Sequence, residues 1–172
     1  MLRRVGIFLS VLCQLLVYTS LGLADSGDFW RDGSVGWTDY RGHPFVAREN
    51  HATAVFDGKL WVIGGSDWGQ LYNDVWYSTD GSTWIPATGS AGFSPREGHT
   101  CVAFADKLWV IGGNDGSPRS DVWFSEDGVT WYQATGSAPF SGRYFHSSVV
   151  ANNRIWVIAG RNPSSSYADV WS

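Results

Sequence analysis

Three apolar stretches of the chain share one outline. "LWVIGG" at 60–65, "LWVIGG" at 108–113 and "IWVIAG" at 155–160 are apolar at successive positions and close on glycine. A strand without alternation must be covered on both faces. Shorter aromatic and β-branched segments surround each one: "HATAVF" before the first, then "DVWYS" and "TWIPAT" after it. Turn residues bound them all, so each copy reads as four strands, A to D. Asp57-Gly58 and Asn152-Asn153 lie between A and B, where a two-residue hairpin needs positive φ. Asp80-Gly81 and Asp127-Gly128 are expected to turn C into D in the same way. No segment has helical periodicity, and the pattern predicts an all-β chain.

The copies match beyond these segments. Phe45, Phe93 and Phe140 each open an F-x-x-R-x-x-H pattern, giving Arg48, Arg96 and Arg143, then His51, His99 and His146. D-V-W triplets follow at Asp74, Asp121 and Asp169, and Trp84 and Trp131 close the first two units. The arginines are 48 and then 47 residues apart, a period that belongs to propeller blades. Of the glycine pair, Gly64 and Gly112 give way to Ala159 in the third copy, so that position tolerates a Cβ. Gly65, Gly113 and Gly160 are constant, as positive φ or a close backbone approach would require. Upstream, "FWRDGSVGWTDYRGHPF" reads as the end of another repeat, with Trp30 matching Trp76 and Trp37 matching Trp84. Thirteen strands are expected: two in 25–44, four in 45–92, four in 93–139 and three in 140–172.

These residues resemble kelch repeats over nearly all of 28–172. The marks are the double glycine after an apolar strand, the D-V-W about ten residues later, and the closing tryptophan. The resemblance implies β-propeller blades of four antiparallel strands, with strand A nearest a central channel. "STDGSTW" (78–84) and "SEDGVTW" (125–131) are similar to the Asp-box of sialidases, one residue shorter. An aspartate at that turn can hydrogen-bond its own backbone, which explains Asp80 and Asp127 without a substrate. The resemblance implies rings of six or seven blades, so about three blades form an incomplete ring. The chain accordingly reads as a fragment of a longer parent protein that supplies the remaining blades. Open terminal blades would favour self-association.

The ends and the charge add a compartment. "MLRR", an apolar run over 5–23 and small residues at Gly22 and Ala24 describe a secretory signal peptide cleaved after Ala24. Leu12 is too bulky for Cys13 to serve as a lipoprotein site. A secreted or extracytoplasmic chain from 25 onward is expected, without a membrane span. Sixteen acidic residues face twelve basic ones, and Arg3 and Arg4 depart with the signal. That balance argues against nucleic acid, whose binding rests on phosphate neutralisation. Cys101 remains alone after cleavage, so no intramolecular disulfide is expected.

Candidate chemistry sits in loops. A ligand of this fold class would meet the face built by the D–A and B–C loops. The residues that differ between copies there are Asp67, Trp68 and Gln70; Asn114, Asp115 and Arg119; Arg161 and Asn162. A protein or glycan ligand is expected on that face. The three arginines could form an anion site as in sialidases. Their identical place in each copy favours pairing with the D-V-W aspartates instead. The histidines suggest packing rather than a metal, and no cofactor is expected. Cys101 aligns with Thr53 and Ser148, so the tyrosine–cysteine crosslink of copper-radical oxidases on kelch propellers finds no match here. The alternative function is a sugar-acting enzyme resembling a sialic-acid mutarotase, a sialidase or galactose oxidase. No nucleophile elbow, zinc motif or dinucleotide fingerprint appears.

Overall fold

The computed structural model of the chain describes residues 45–172. The expected signal segment 1–24 and the partial blade 25–44, with Trp30 and Trp37, lie outside the described residues. Eleven strands form three antiparallel sheets, and none of the described residues is helical. The first sheet orders β1 (Ala52–Phe56), β2 (Lys59–Asp67), β3 (Gln70–Ser78) and β4 (Ile85–Thr88) side by side. The second repeats this with β5 (Thr100–Phe104), β6 (Lys107–Asn114), β7 (Pro118–Ser125) and β8 (Tyr132–Thr135). The third holds β9 (Ser147–Ala151), β10 (Arg154–Ile158) and the short β11 (Val170–Trp171). The three sheets make an open arc, an incomplete propeller.

The unalternating strands lie where both faces are covered. Ile63 and Leu108 are wholly buried, and one core joins Trp61, Ile63 and Val75 of the first sheet to Leu108, Val110 and Trp131 of the second. A second core of Ile111, Phe140 and Val157 binds the second sheet to the third. At roughly 25 cal/mol per Å² of apolar area, such inter-sheet burial is the main stabilising term.

The A–B turns follow the pattern read from sequence. Asp57 and Gly58 have φ of 50° and 66°, and Asn152 and Asn153 have 52° and 56°. Ala105-Asp106 adopts the same left-handed pair, at 50° and 56°, despite carrying neither Gly nor Asn. The C–D connections differ from expectation. Only Gly81 and Gly128 have positive φ there, and six residues separate β3 from β4. Asp80 instead accepts the N–H groups of Ser82 and Thr83 at 2.8 and 2.7 Å, while the buried Ser78 hydroxyl accepts that of Gly81 at 2.9 Å. Asp127 and Ser125 repeat the arrangement. A side chain, not a mirror-image hairpin, turns the chain, and the tryptophan precedes strand D rather than opening it.

Both positions of the glycine pair take positive φ, Ala159 included at 58°. The second also lacks room. A Cβ on Gly113 would lie 2.7 Å from the His99 Cβ and 3.0 Å from the Glu97 carbonyl. One on Gly64 would meet the Arg96 carbonyl at 3.1 Å and the His99 ring at 3.0 Å, both from the following blade. Ala159 shows that this position carries a Cβ in the third copy at the same positive φ.

Candidate functional site

The loop face is organised by the three arginines. Arg96 is 1% exposed and all five of its N–H donors are engaged. Two go to the Asp121 carboxylate at 2.7 and 2.9 Å, one to the Gly112 carbonyl at 2.9 Å, and the rest to Ser94. Arg48 holds Asp74, and Arg143 holds Asp169, in the same two-pronged way. In each triplet the tryptophan two residues on donates its indole N–H to that carboxylate at 2.8 Å. The phenylalanine that opens each unit stacks on the guanidinium, 5.3 to 5.5 Å from its centroid. The spacing F-x-x-R and the triplet D-V-W are thus two halves of one clamp, tying loop D–A to strand C. Burial raises the Asp121 pKa, but the hydrogen bonds from Arg96 and Trp123 outweigh it and leave the carboxyl below its ordinary value. Asp169 is lowered chiefly by Arg143. A guanidinium so satisfied has no donor left for a substrate anion.

The backbone of the same arginines joins neighbouring blades. Gly65 donates its N–H to the Arg96 carbonyl at 2.9 Å, and Gly113 donates to that of Arg143 at 2.8 Å. Arg96 N–H in turn reaches the Tyr72 carbonyl at 3.0 Å. Glu97 bridges two blades by side chain as well, accepting from Ser66 Oγ at 2.6 Å and Asn50 at 3.0 Å.

The histidines lie on a different surface, along the strand A edges. His51, His99 and His146 line a recess of about 370 Å³ with Thr53, Cys101 and Ser148. His99 is 4% exposed, and neither ring nitrogen makes a well-formed hydrogen bond, although the Ile63 carbonyl sits against the ring. Burial first, then Arg96 and His146, push it down to about 3. His146 falls to about 4 through burial and Arg143, and its Nε2 lies 2.9 Å from Thr100 Oγ1. Both rings are neutral near pH 7. Cys101 is buried and its thiol is pushed up to about 12, so it is an inert packing group.

The non-repeated residues divide into two groups. Asp115 is committed to its loop, accepting from Ser94 Oγ at 2.5 Å and from Arg119 Nε at 2.8 Å. Asn162 likewise caps its own turn, accepting from Ser164 and Ser165 and reaching the Tyr167 hydroxyl. Asn114 is held through its backbone to Glu97. Trp68 and Arg161 stand apart. Trp68 is fully exposed at a φ of 44°, beside a recess of about 350 Å³ lined by Ala47, Arg48, Glu49, Ser66 and Asp67. Arg161 is exposed, forms no ion pair among the described residues, and stacks on Tyr144 at 5.3 Å and Phe145 at 5.1 Å. Phe145 is itself 45% exposed at a φ of 55°.

Glu97, Tyr144 and Phe145 were missed from sequence. They sit one or two residues after the repeated arginines, where the copies read Glu-Asn, Glu-Gly and Tyr-Phe and the third departs from the first two. That divergence beside an invariant position was the available signal.

Residues 31–160 match the family described as KLHDC2/KLHL20/DRC7 Kelch-repeats domain. The chain belongs to the kelch-repeat family. No curated protein matches it significantly in sequence. Kelch domains generally bind proteins, so the repeat points to a protein-binding propeller scaffold.

Proposed function

We propose that this kelch chain works outside the cytoplasm as a binding module, using the loop face to hold a protein ligand through Trp68 and the Arg161–Tyr144–Phe145 cluster. One contrast carries the reading. On the same face, the repeated arginines are saturated by internal bonds, while Trp68 is exposed and Arg161 is exposed with no ion pair among the described residues. An exposed tryptophan with positive φ is strained and gains nothing from water, and aromatic and arginine anchors dominate protein interfaces. The leader-like segment 1–24 supports the compartment. A carbohydrate ligand is the second reading, favoured by the flat ring of Trp68 beside the acidic Asp67 and Glu49.

Selecting ligands from a displayed-peptide library and from a glycan array against the full chain tests both readings. Trp68→Ala and Arg161→Ala should each weaken the selected ligand about tenfold or more. Their melting temperatures should stay at the parent value. Ligands that bind both variants as tightly as the parent would place the interaction elsewhere.

A further inference from the structure

The residue two positions after each repeated arginine takes part in a backbone belt that runs from blade to blade. Gly98 donates its N–H to the Asn50 carbonyl at 2.9 Å, and Phe145 donates to the Gly98 carbonyl at 2.8 Å. Asn50, Gly98 and Phe145 all lie in the left-handed region, at φ of 56°, 62° and 55°. Asparagine and glycine accept that conformation readily, whereas a bulky aromatic residue there is a true outlier. Strain of this kind persists only where the surroundings hold it, and it clusters at active sites and ligand clamps.

The surroundings of Phe145 are set by the glycine beside it. A Cβ on Gly98 would lie 2.9 Å from both Cδ1 and Cε1 of the Phe145 ring, and 3.2 Å from the Tyr144 Cβ. The ring thus rests on bare backbone of the preceding blade. Tyr144 meets it edge-on, with centroids 5.1 Å apart. Two backbone hydrogen bonds of 3.0 Å tie Arg161 to Tyr144, and its guanidinium lies over both rings.

The junction between the first two blades uses the same positions differently. Asn50 stands there for Gly98, Ser66 for Asn114 and Glu97 for Tyr144, as the shared backbone bridges show. Glu97 accepts from Asn50 Nδ2 at 3.0 Å and from Ser66 Oγ at 2.6 Å, so that junction is closed by polar groups that satisfy one another. Without a side chain at position 98, no such seal can form between the second and third blades. The exposed face of Phe145 takes its place.

We propose that Gly98 is a positioning residue of the loop-face site: its missing side chain leaves the seat that holds Phe145, and Arg161 stacked on it, in the orientation that receives an apolar side chain of the protein ligand. This rests on the reading of the loop face as a protein-binding surface.

Gly98→Asn in the full chain tests it, because the first copy already carries asparagine at this position with nearly the same φ. The probe is the set of peptides that a random display library yields against the parent chain and that Phe145→Ala weakens. Gly98→Asn should weaken those peptides about tenfold, and adding it to Phe145→Ala should weaken them no further. Equal weakening in both backgrounds overturns the proposal, since it would not act through the ring. If Gly98→Asn lowers the melting temperature, adding Phe145→Ala should bring it back to that of Phe145→Ala alone. A melting temperature that stays low overturns the proposal as well. Peptides that need Phe145 yet bind Gly98→Asn as tightly as the parent overturn it while leaving the loop-face reading intact. A library that yields no Phe145-dependent peptide overturns that reading and this inference together.

Discussion

Replacing Asp121 with alanine removes the carboxylate but leaves the Arg96 guanidinium in place, 1% exposed and with two donors unpaired. Breaking a buried pair from one side costs about 3–5 kcal/mol, because a desolvated charge is stranded. The Trp123 indole loses its acceptor as well. Arg96→Ala strands Asp121, 8% exposed, and also removes the bonds to Ser94 and the Gly112 carbonyl. Its cost should equal or exceed that of the aspartate change. The double variant strands nothing, so its cost should fall short of the sum by about 2 kcal/mol, within the usual range for coupled neighbours. Urea unfolding followed by tryptophan fluorescence measures all four corners of the cycle, provided the slope with urea is the same in each. Effects that add to within about 0.5 kcal/mol would refute the clamp as an energetic unit. An unchanged Arg96→Ala stability would refute it more directly.

Acid should destabilise the fold before the carboxylates titrate. His99 and His146 have folded pKa values of about 3 and about 4 against 6.5 unfolded, so the unfolded chain binds more protons below pH 6.5. Stability is then full above that value and falls by about 2 kcal/mol per histidine between pH 7 and 5; a flat urea midpoint over that range would contradict it. His51 is lowered too, by burial and Arg48, so His146→Gln should remove only its own share of the pH dependence, about 2 kcal/mol. Gly113→Ala should cost more than about 2 kcal/mol, combining a φ of 102° with a 2.7 Å clash, whereas Gly116→Ala, at 104° in open space, should cost only about 1 kcal/mol. Equal melting temperatures for those two variants would sink the close-approach argument. Trp131→Ala should cost about 3–5 kcal/mol by emptying the slot between the first two sheets.

Strand positions were legible because burial on both faces leaves a continuous apolar run, and three copies in register made that pattern hard to mistake. The Asp57-Gly58 turn was legible for a local reason, since few residue pairs accept two left-handed conformations. Ala105-Asp106 was not, because its conformation is imposed by strands already paired through Phe104 and Lys107. The C–D turn misled for the opposite reason. Asp-Gly is a hairpin signal, but here Asp80 spends its carboxylate on backbone N–H groups two and three residues ahead. On the loop face, sequence divergence selected Trp68 and Arg161 together with Asp115 and Asn162. It could not separate them, because variation looks the same whether a side chain faces solvent or caps its own turn.

One contact that recurs at the joint between blades is made by backbone alone: the Gly65 N–H meets the Arg96 carbonyl, and the Gly113 N–H meets that of Arg143. Nothing in that contact distinguishes one unit from the next. A gene segment of 47 or 48 codons, duplicated or lost in phase, would therefore produce a junction already compatible with its new neighbours. Ring size can drift by whole blades through unequal recombination. The residues just after each arginine can meanwhile diversify, since the Arg–Asp pair that anchors the loop does not involve them.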